Sequence, residues 1–237
     1  MGQFDLETDA ALGQINFEEL STIPGGEFAE IIGDLLKLVG GGGPLGVAGG
    51  ISNLLLKVRK LAGASYGSNL IYTITAVRND LATLYERYGD LRERIDSLRT
   101  DPKFAEAISA LALQAMHTSV KDRLKRLARI VVNGVKEGDL EPESLDDMMR
   151  AATELSEPDI RLLKELYEHH SVQPMNMNET GMDNTEFVER LESVAKLQAA
   201  AFVHLRTPGG DQGANIVVLF PRGKKFYERL QEISAPS

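Results

Sequence analysis

Apolar residues recur at alternating spacings of four and three along one stretch of the chain, and this is its clearest hydrophobic pattern. The positions of this seam are Leu70, Ile74, Val77, Leu81, Leu84, Tyr88, Leu91, Ile95 and Leu98. Such heptad spacing predicts a helix over 68–99, about 45 Å long at the usual rise per residue. In this register Arg87 would face Arg92 of a parallel partner, which is repulsive. The helix is therefore expected to pack on another helix of the same chain or on an antiparallel partner.

Helical periodicity also predicts shorter helices after the heptad segment. Asp101 followed by Pro102 is typical of a helix N-terminus, and Gly138 is typical of the residue that ends a helix. Ser156 followed three residues later by Asp159 resembles a capping box. The predicted helices after residue 100 cover 103–138, either continuous or interrupted near 117–119, and 144–155, 156–170, 185–202 and 221–233.

The one convincing β-strand pattern lies near the C-terminus. The segments AFVHLRT and ANIVVLF flank PGGDQG, which predicts a β-ribbon with a glycine-rich tip. The predicted fold class is therefore mainly α. A helical N-terminal domain over 1–154, containing the long heptad helix, is followed by an α+β C-terminal domain over 155–237.

The composition is typical of a soluble globular protein, with 43% hydrophobic and 26% charged residues. The 237 residues include no cysteine. That excludes disulfides, thiolate metal sites and cysteine nucleophiles, and it favours a reducing cytoplasm. The opening MGQFDLETDA has neither the basic start nor the apolar core of a signal peptide, so a cytoplasmic location is expected.

The net charge of −9 weakens the case for bulk nucleic-acid binding, but the charges are segregated along the chain. Residues 1–36 hold eight acidic and no basic side chains, while residues 119–136 hold six basic and one acidic. Residues 137–168 hold eleven acidic and three basic side chains. Blocks of this kind are typical of segments that neutralise one another within a fold or across an interface.

The most biased segment is LVGGGGPLGVAGG at residues 38–50. It matches the GxGxxG dinucleotide fingerprint, but it follows a helical pattern rather than a strand, so no dinucleotide site is expected. The uncharged run 38–56 is nominally long enough to span a bilayer, yet each interior glycine costs a helix about 1 kcal/mol. We therefore expect a hinge in a helical hairpin over 28–61, with a membrane contact as the alternative. The residues of this hinge or membrane segment are Gly40, Gly41, Gly42, Gly43, Pro44, Gly46, Gly49 and Gly50.

Candidate catalytic motifs fail on their context. Ser65 in GASYG matches the GxSxG nucleophile elbow, but helical patterns lie on both sides where a strand and a helix are needed. His169 and His170 point in different directions on a helix and have no third ligand nearby in the sequence. No catalytic, metal-binding or cofactor-binding residue is predicted, no small-molecule substrate is evident, and an enzyme is not expected.

From Ser156 to Ile233 the order of elements resembles a winged-helix domain. An initial helix, DIRLLKELYEHH, is followed by a polar connector and a second helix, TEFVERLESVAKLQAAAF. A two-stranded wing and a closing helix at PRGKKFYERL complete the order. The resemblance implies that the second helix occupies the recognition position of the domain.

The charges of this region favour a protein partner over DNA. The charged residues of the recognition-position helix are Asp183, Glu186, Glu189, Arg190, Glu192 and Lys196. Their acidic excess would repel phosphate. The basic residues that would contact nucleic acid or an acidic partner are Arg206, Arg222, Lys224, Lys225 and Arg229 around the wing, and Lys121, Lys125 and Arg129 on a basic stripe over 121–129.

A second resemblance covers residues 28–170. The spacing of residue types in RLKRLARIVVNGV and ELSEPDIRLLKEL is similar to that in bacterial helical proteins of the abortive-infection alpha type. This resemblance implies a cytoplasmic bacterial protein that accompanies antiviral (phage) defence and acts through partners or membranes without catalytic residues.

The sequence favours a non-enzymatic protein-interaction component of a bacterial phage-defence or stress system. It would act through helical and winged-helix surfaces on a protein partner or as a homo-oligomer. Two alternatives stay open: a winged-helix DNA-binding transcriptional regulator, and an effector that perturbs membranes through the glycine-rich segment.

Overall fold

The computed structural model describes residues 69–70, 72–74, 76–98, 101–116, 118, 120–170, 174–177, 183–206 and 215–232. The chain divides into two compact units. The N-terminal unit comprises Met1–Thr153 with Glu232–Ser237, and the C-terminal unit comprises Glu154–Gln231. The described residues are mainly helical with a three-stranded antiparallel sheet, which confirms the mainly α fold class.

All the regular secondary structure in the described part of the N-terminal unit is helical. Residues 69–70 and 72–74 are helical, and the elements that follow are α1 (76–87), a 3-10 turn at Gly89–Leu91, α2 (Arg92–Ser97), α3 (Pro102–Met116), α4 (Lys121–Glu137) and α5 (Pro142–Glu154). The amide of Lys103 donates to Asp101 Oδ1 at 2.9 Å, which confirms the predicted helix start there. Of the two alternatives for 103–138, the interrupted one is confirmed: residues 118 and 120 are not helical, and they separate α3 from α4.

The long helix predicted over 68–99 is interrupted at Tyr88. Tyr88 has extended backbone angles (φ −120°, ψ 92°), and the chain resumes as the 3-10 turn and α2. Gly89 follows directly, and glycine is a poor helix former. The guanidinium of Arg92 donates through Nε to the carbonyl of Tyr85 at 3.1 Å, satisfying an acceptor in the last turn of α1.

The heptad positions are nevertheless the inner face of this region. Leu84 and Leu91, on either side of the interruption, are both buried, whereas Tyr88 and Ile95 are half-buried. The buried seam residues are Leu70, Ile74, Val77, Leu81, Leu84, Leu91 and Leu98. The apolar pattern therefore predicted seven of its nine positions as core residues correctly, although it did not predict the break.

The C-terminal end of α4 is closed by a glycine and an arginine. Gly138 has a φ of +72°, in the left-handed region that favours glycine, which confirms it as the terminating residue. Arg94 of α2 donates through Nη1 to the carbonyls of Val135 (3.1 Å) and Lys136 (2.7 Å). A cation at this end also interacts favourably with the helix dipole.

The described part of the C-terminal unit combines three helices with a small sheet. Its elements are α6 (Glu157–His170), β1 (Met175–Asn176), α7 (Asn184–Ala199), β2 (Val203–Arg206), β3 (Ile216–Leu219) and α8 (Pro221–Leu230). The strand order is β1-β3-β2, with both pairs antiparallel. The predicted β-ribbon is β2–β3, paired from Val203 opposite Leu219 to Arg206 opposite Ile216. Inside the unit, Phe202 stacks on Phe226 with ring centroids 4.5 Å apart.

The predicted hinge or membrane segment, Gly40 to Gly50, and the hairpin over 28–61 lie outside the described residues. Among the helices of the described part, none is both long enough and apolar enough to cross a bilayer.

Candidate interaction surfaces

Helix α7 is fixed at its N-terminus and along its inner face. Asp183 Oδ1 accepts from the amides of Thr185 (2.8 Å) and Glu186 (2.9 Å), so its side chain caps the helix. Val194 and Leu197 are fully buried. These contacts determine which side of α7 faces solvent.

The two cationic side chains of α7 are engaged by α6 within the same unit. Arg190 forms an ion pair with Glu165. Lys196 Nζ lies 3.4 Å from Asp159 Oδ2. Because both cations are directed to carboxylates of α6, they do little to offset the negative charge on the outer side of α7.

Asp159 is a buried carboxylate that holds the start of α6. Its Oδ2 accepts from the amide (2.8 Å) and the hydroxyl (2.5 Å) of Ser156, which confirms the carboxylate arm of the predicted capping box. Burial by itself raises the pKa of Asp159, but hydrogen bonds from Ser156 and Ser193 and the charge of Lys196 outweigh it, so the pKa lies below its ordinary value. Asp159 is therefore ionised at neutral pH and serves the fold.

The solvent-exposed sides of α7 carry three carboxylates and one apolar side chain. Glu186, Glu189 and Glu192 are exposed, and Val188, which shares a helix face with Glu192, is 54% exposed. Within the part of the chain that the structure describes, none of the three carboxylates forms an ion pair. Sequence reasoning found the acidic excess but missed Val188, because its spacing also fits the apolar stripe of the helix. We call these four residues the α7 surface.

The predicted basic residues near the ribbon differ in how far they are exposed to solvent. Arg206 at the end of β2, and Arg222 and Lys224 in the first turn of α8, are exposed, and Lys225 is half-buried. Arg229 is fully buried, so its guanidinium is not available to a partner. Its place on the inner side of α8 removes it from the candidate set.

The outward side of the β-ribbon places one of these cations, Arg206, beside apolar and aromatic side chains. His204 is opposite Val218 and Arg206 is opposite Ile216, and alternation along the strands puts all four on one face. Phe220 is 38% exposed, and its ring stacks parallel to that of His204 with centroids 6.0 Å apart. We call this face, together with Arg222 and Lys224, the ribbon surface; its members are His204, Arg206, Ile216, Val218, Phe220, Arg222 and Lys224.

The basic stripe of α4 belongs to the N-terminal unit and is partly engaged there. Lys121 and Lys125 are exposed, and Lys125 lies 3.8 Å from Asp122. Arg129 Nη2 pairs with Glu232 at 2.7 Å. Burial raises the pKa of Asp80, and the positive charge of Arg129 opposes that rise. The stripe is thus less available than its sequence implies.

The described residues contain no group of three histidine or acidic side chains arranged to hold a metal ion. No known family model matches this chain. No curated protein and no solved structure with which it was compared is similar enough to count as a match. The surfaces described above are therefore the basis for assigning a function to this chain.

Proposed function

We propose that this protein is a non-enzymatic component that acts by binding another protein, and that the C-terminal unit is a winged-helix domain that makes the contact through α7. The sheet supports the domain assignment. A helix, a short strand, a further helix and an antiparallel ribbon follow in that order, with the short strand paired to the second strand of the ribbon. This arrangement places α7 directly before the ribbon, where such a domain has its recognition helix.

The charge of the α7 surface is the observation that carries the choice of a protein partner. Glu186, Glu189 and Glu192 are exposed on α7, as is Val188, while the cations of the same helix pair with α6. A helix with this outward charge would be repelled by the phosphates of a DNA groove. An exposed apolar side chain close to polar ones is instead compatible with a protein interface.

The second candidate function, a DNA-binding regulator, has the ribbon surface in its favour. Arg206, Arg222 and Lys224 are exposed cations near an exposed aromatic side chain, a combination that suits nucleic acid. In that case binding to duplex DNA would fall steeply with salt and would be lost when Arg206 and Lys224 are replaced by glutamate. The α7 surface would have to remain outside the contact.

The biological setting within this proposal is phage defence or stress response in bacteria, as the resemblance of residues 28–170 implies. Deleting the gene and challenging the cells with phage tests this setting directly. An unchanged efficiency of plating and unchanged survival under stress would contradict it.

The interaction itself is tested by retention of a partner from the cells in which the protein naturally occurs. The test variant is Glu186→Lys/Glu189→Lys/Glu192→Lys, and the control is Glu106→Lys/Glu143→Lys/Glu154→Lys, which makes the same charge change at exposed carboxylates elsewhere. We expect the wild type and the control to retain the same protein partner and the test variant to lose it. Equal retention by all three proteins would overturn the proposal.

A further inference from the structure

We propose that the edge of strand β2 binds residues Phe4–Asp9 of the same chain as an added antiparallel strand. This segment lies outside the described residues, so its sequence and the geometry of β2 are what support the pairing. The inference is independent of the contact proposed for α7.

Strand β2 directs part of its backbone away from the sheet. It pairs with β3 on one side, and on its other side the structure describes no strand. The amide of Phe220 donates to the carbonyl of Phe202 at 2.9 Å, so these opposed residues form a hydrogen-bonded pair. Because bonded and non-bonded pairs alternate along an antiparallel ladder, the backbone groups of Val203 and Leu205 point away from β3.

The pairing of β1 with β3 agrees with this assignment. The amide of Met177 donates to the carbonyl of Asn215 at 2.9 Å, so Val217 also bonds to β1 and the residues beside it bond to β2. The outer edge of β2 therefore presents the N–H and C=O groups of Val203 and Leu205. Backbone groups at a sheet edge of this kind can pair with another strand.

The side chains of β2 give this edge an apolar face and a basic face. On the inner face Val203 is fully buried, whereas Leu205 is only half-buried. On the outer face His204 and Arg206 are exposed, and no carboxylate of the described residues forms an ion pair with Arg206. A strand added here would be stabilised by apolar residues that cover Leu205 and by acidic residues on the opposite face.

The segment Phe4–Asp9 has the alternation that this edge requires. It reads FDLETD, in which Phe4, Leu6 and Thr8 alternate with Asp5, Glu7 and Asp9. Such strict alternation fits a half-buried strand, but acidic residues are depleted in strands, so the segment does not predict a strand by itself. Like β1, it would become a strand only by pairing with the sheet.

One register sets apolar residues opposite apolar ones and acidic residues opposite basic ones. With Leu6 opposite Leu205, Glu7 lies opposite His204 and Asp5 lies opposite Arg206. A slip by one residue would turn the carboxylates to the inner face. Strand β2 of a second copy would instead add the same basic side chains to the outer face, and like charges across a sheet are destabilising.

Amide hydrogen exchange in the full-length chain tests the added strand. The amides of Val203 and Leu205 should exchange about tenfold or more faster in Leu6→Pro than in the wild type, because proline lacks an N–H and is excluded from a paired strand. The amide of His204 bonds to β3 and should be unchanged, so it is an internal control for folding. Leu12→Pro, beyond the segment, is the matched control and should exchange like the wild type.

An engineered disulfide tests the register, since the chain has no cysteine of its own. Residues 7 and 204 would form a non-hydrogen-bonded pair, in which the Cβ atoms are close enough for a disulfide. Glu7→Cys/His204→Cys should therefore oxidise readily to a bridged monomer in dilute solution. Leu6→Cys/His204→Cys is the matched control and should oxidise much more slowly, because residue 6 would lie on the opposite face.

Three outcomes would overturn the proposal. Equal exchange of the Val203 and Leu205 amides in the wild type and in Leu6→Pro would show that the segment does not pair with β2. Equal rates of oxidation in the two cysteine pairs would show random collision rather than a fixed register. A disulfide-linked dimer in place of the bridged monomer would assign the edge of β2 to a second copy.

Discussion

Gly223 of α8 lies directly against Phe202 at the entrance to β2. A Cβ atom at position 223 would lie 2.4 Å from the carbonyl oxygen of Phe202 and 2.9 Å from its Cβ. The same carbonyl accepts a hydrogen bond from the amide of Phe220 at 2.9 Å. Helix α8 can therefore approach the ribbon this closely only because residue 223 has no side chain.

Gly223→Ala should destabilise the protein by about 1–3 kcal/mol, since the backbone of Phe202 must shift to make room. Gly89→Ala is the control, because a Cβ there would meet nothing within 4 Å. Its effect should stay within about 0.5 kcal/mol. Denaturant unfolding of both variants measures the difference, and equal effects would show that the packing at position 223 is looser than described.

Asp159 should make stability depend on pH in the acid range. Its pKa in the folded protein is lower than the ordinary value of 3.8, so its contribution is fully present above about pH 4 and is lost as the pH falls below that value. Asp159→Asn should cost about 1–3 kcal/mol at pH 7 and reduce the loss of stability between about pH 4 and pH 2.

The control for Asp159 is Glu168→Gln in the same helix. Glu168 is exposed and lies 3.7 Å from Lys164, an ion pair worth little in water. This variant should keep the wild-type acid dependence, as measured by urea unfolding at a series of pH values. The same acid dependence in Asp159→Asn as in the wild type would contradict the role given to Asp159.

Gly138 should be sensitive to any side chain with a Cβ. Its φ of +72° costs an L residue about 1 kcal/mol or more, and a Cβ would also lie 3.2 Å from Cζ of Arg94. Gly138→Ala should therefore lower the thermal midpoint. Gly138→Asn should lower it less, because asparagine tolerates the left-handed region. If alanine were tolerated as well as asparagine, the conformation at position 138 would not be a constraint.

Because the helix is interrupted at Tyr88, alanine substitutions at heptad positions on its two sides should lower the free energy of unfolding by different amounts. Leu84 is fully buried and Ile95 is half-buried. Leu84→Ala should cost about 2–5 kcal/mol, whereas Ile95→Ala should cost only about 1 kcal/mol. A single unbroken heptad helix would make the two losses similar, so comparable unfolding free energies would argue against the break.

Periodicity and capping chemistry predicted most of the helices because both depend on neighbouring residues. Asp101 begins α3 through a side-chain hydrogen bond, and Gly138 ends α4 through its left-handed backbone conformation. The break at Tyr88 was missed because the apolar spacing runs through it, and Gly89 was too weak a signal against that pattern. Strand β1 has no local signal, since Met175 and Asn176 become a strand only by pairing with β3.

The candidate site was predicted in charge but not in detail. The acidic excess of α7 was evident in the sequence, whereas the engagement of Arg190 and Lys196 by α6 depends on tertiary contacts. Arg229 was included among exposed cations, yet it lies three residues after Phe226, on the buried side of α8. The spacing from Phe226 could have predicted that Arg229 is buried. The exposure of Val188 could not be predicted from the sequence, because an apolar residue at helical spacing usually faces the core.

A photo-reactive amino acid at position 188 tests the central claim, protein binding through the α7 surface, most directly. Val188 is 54% exposed, and Leu113 in the N-terminal unit, 47% exposed, is the matched control position. Irradiation in cells should give a protein adduct of discrete mass from position 188 that is absent from position 113. A nucleic-acid adduct at position 188, or no adduct above the control, would contradict the account.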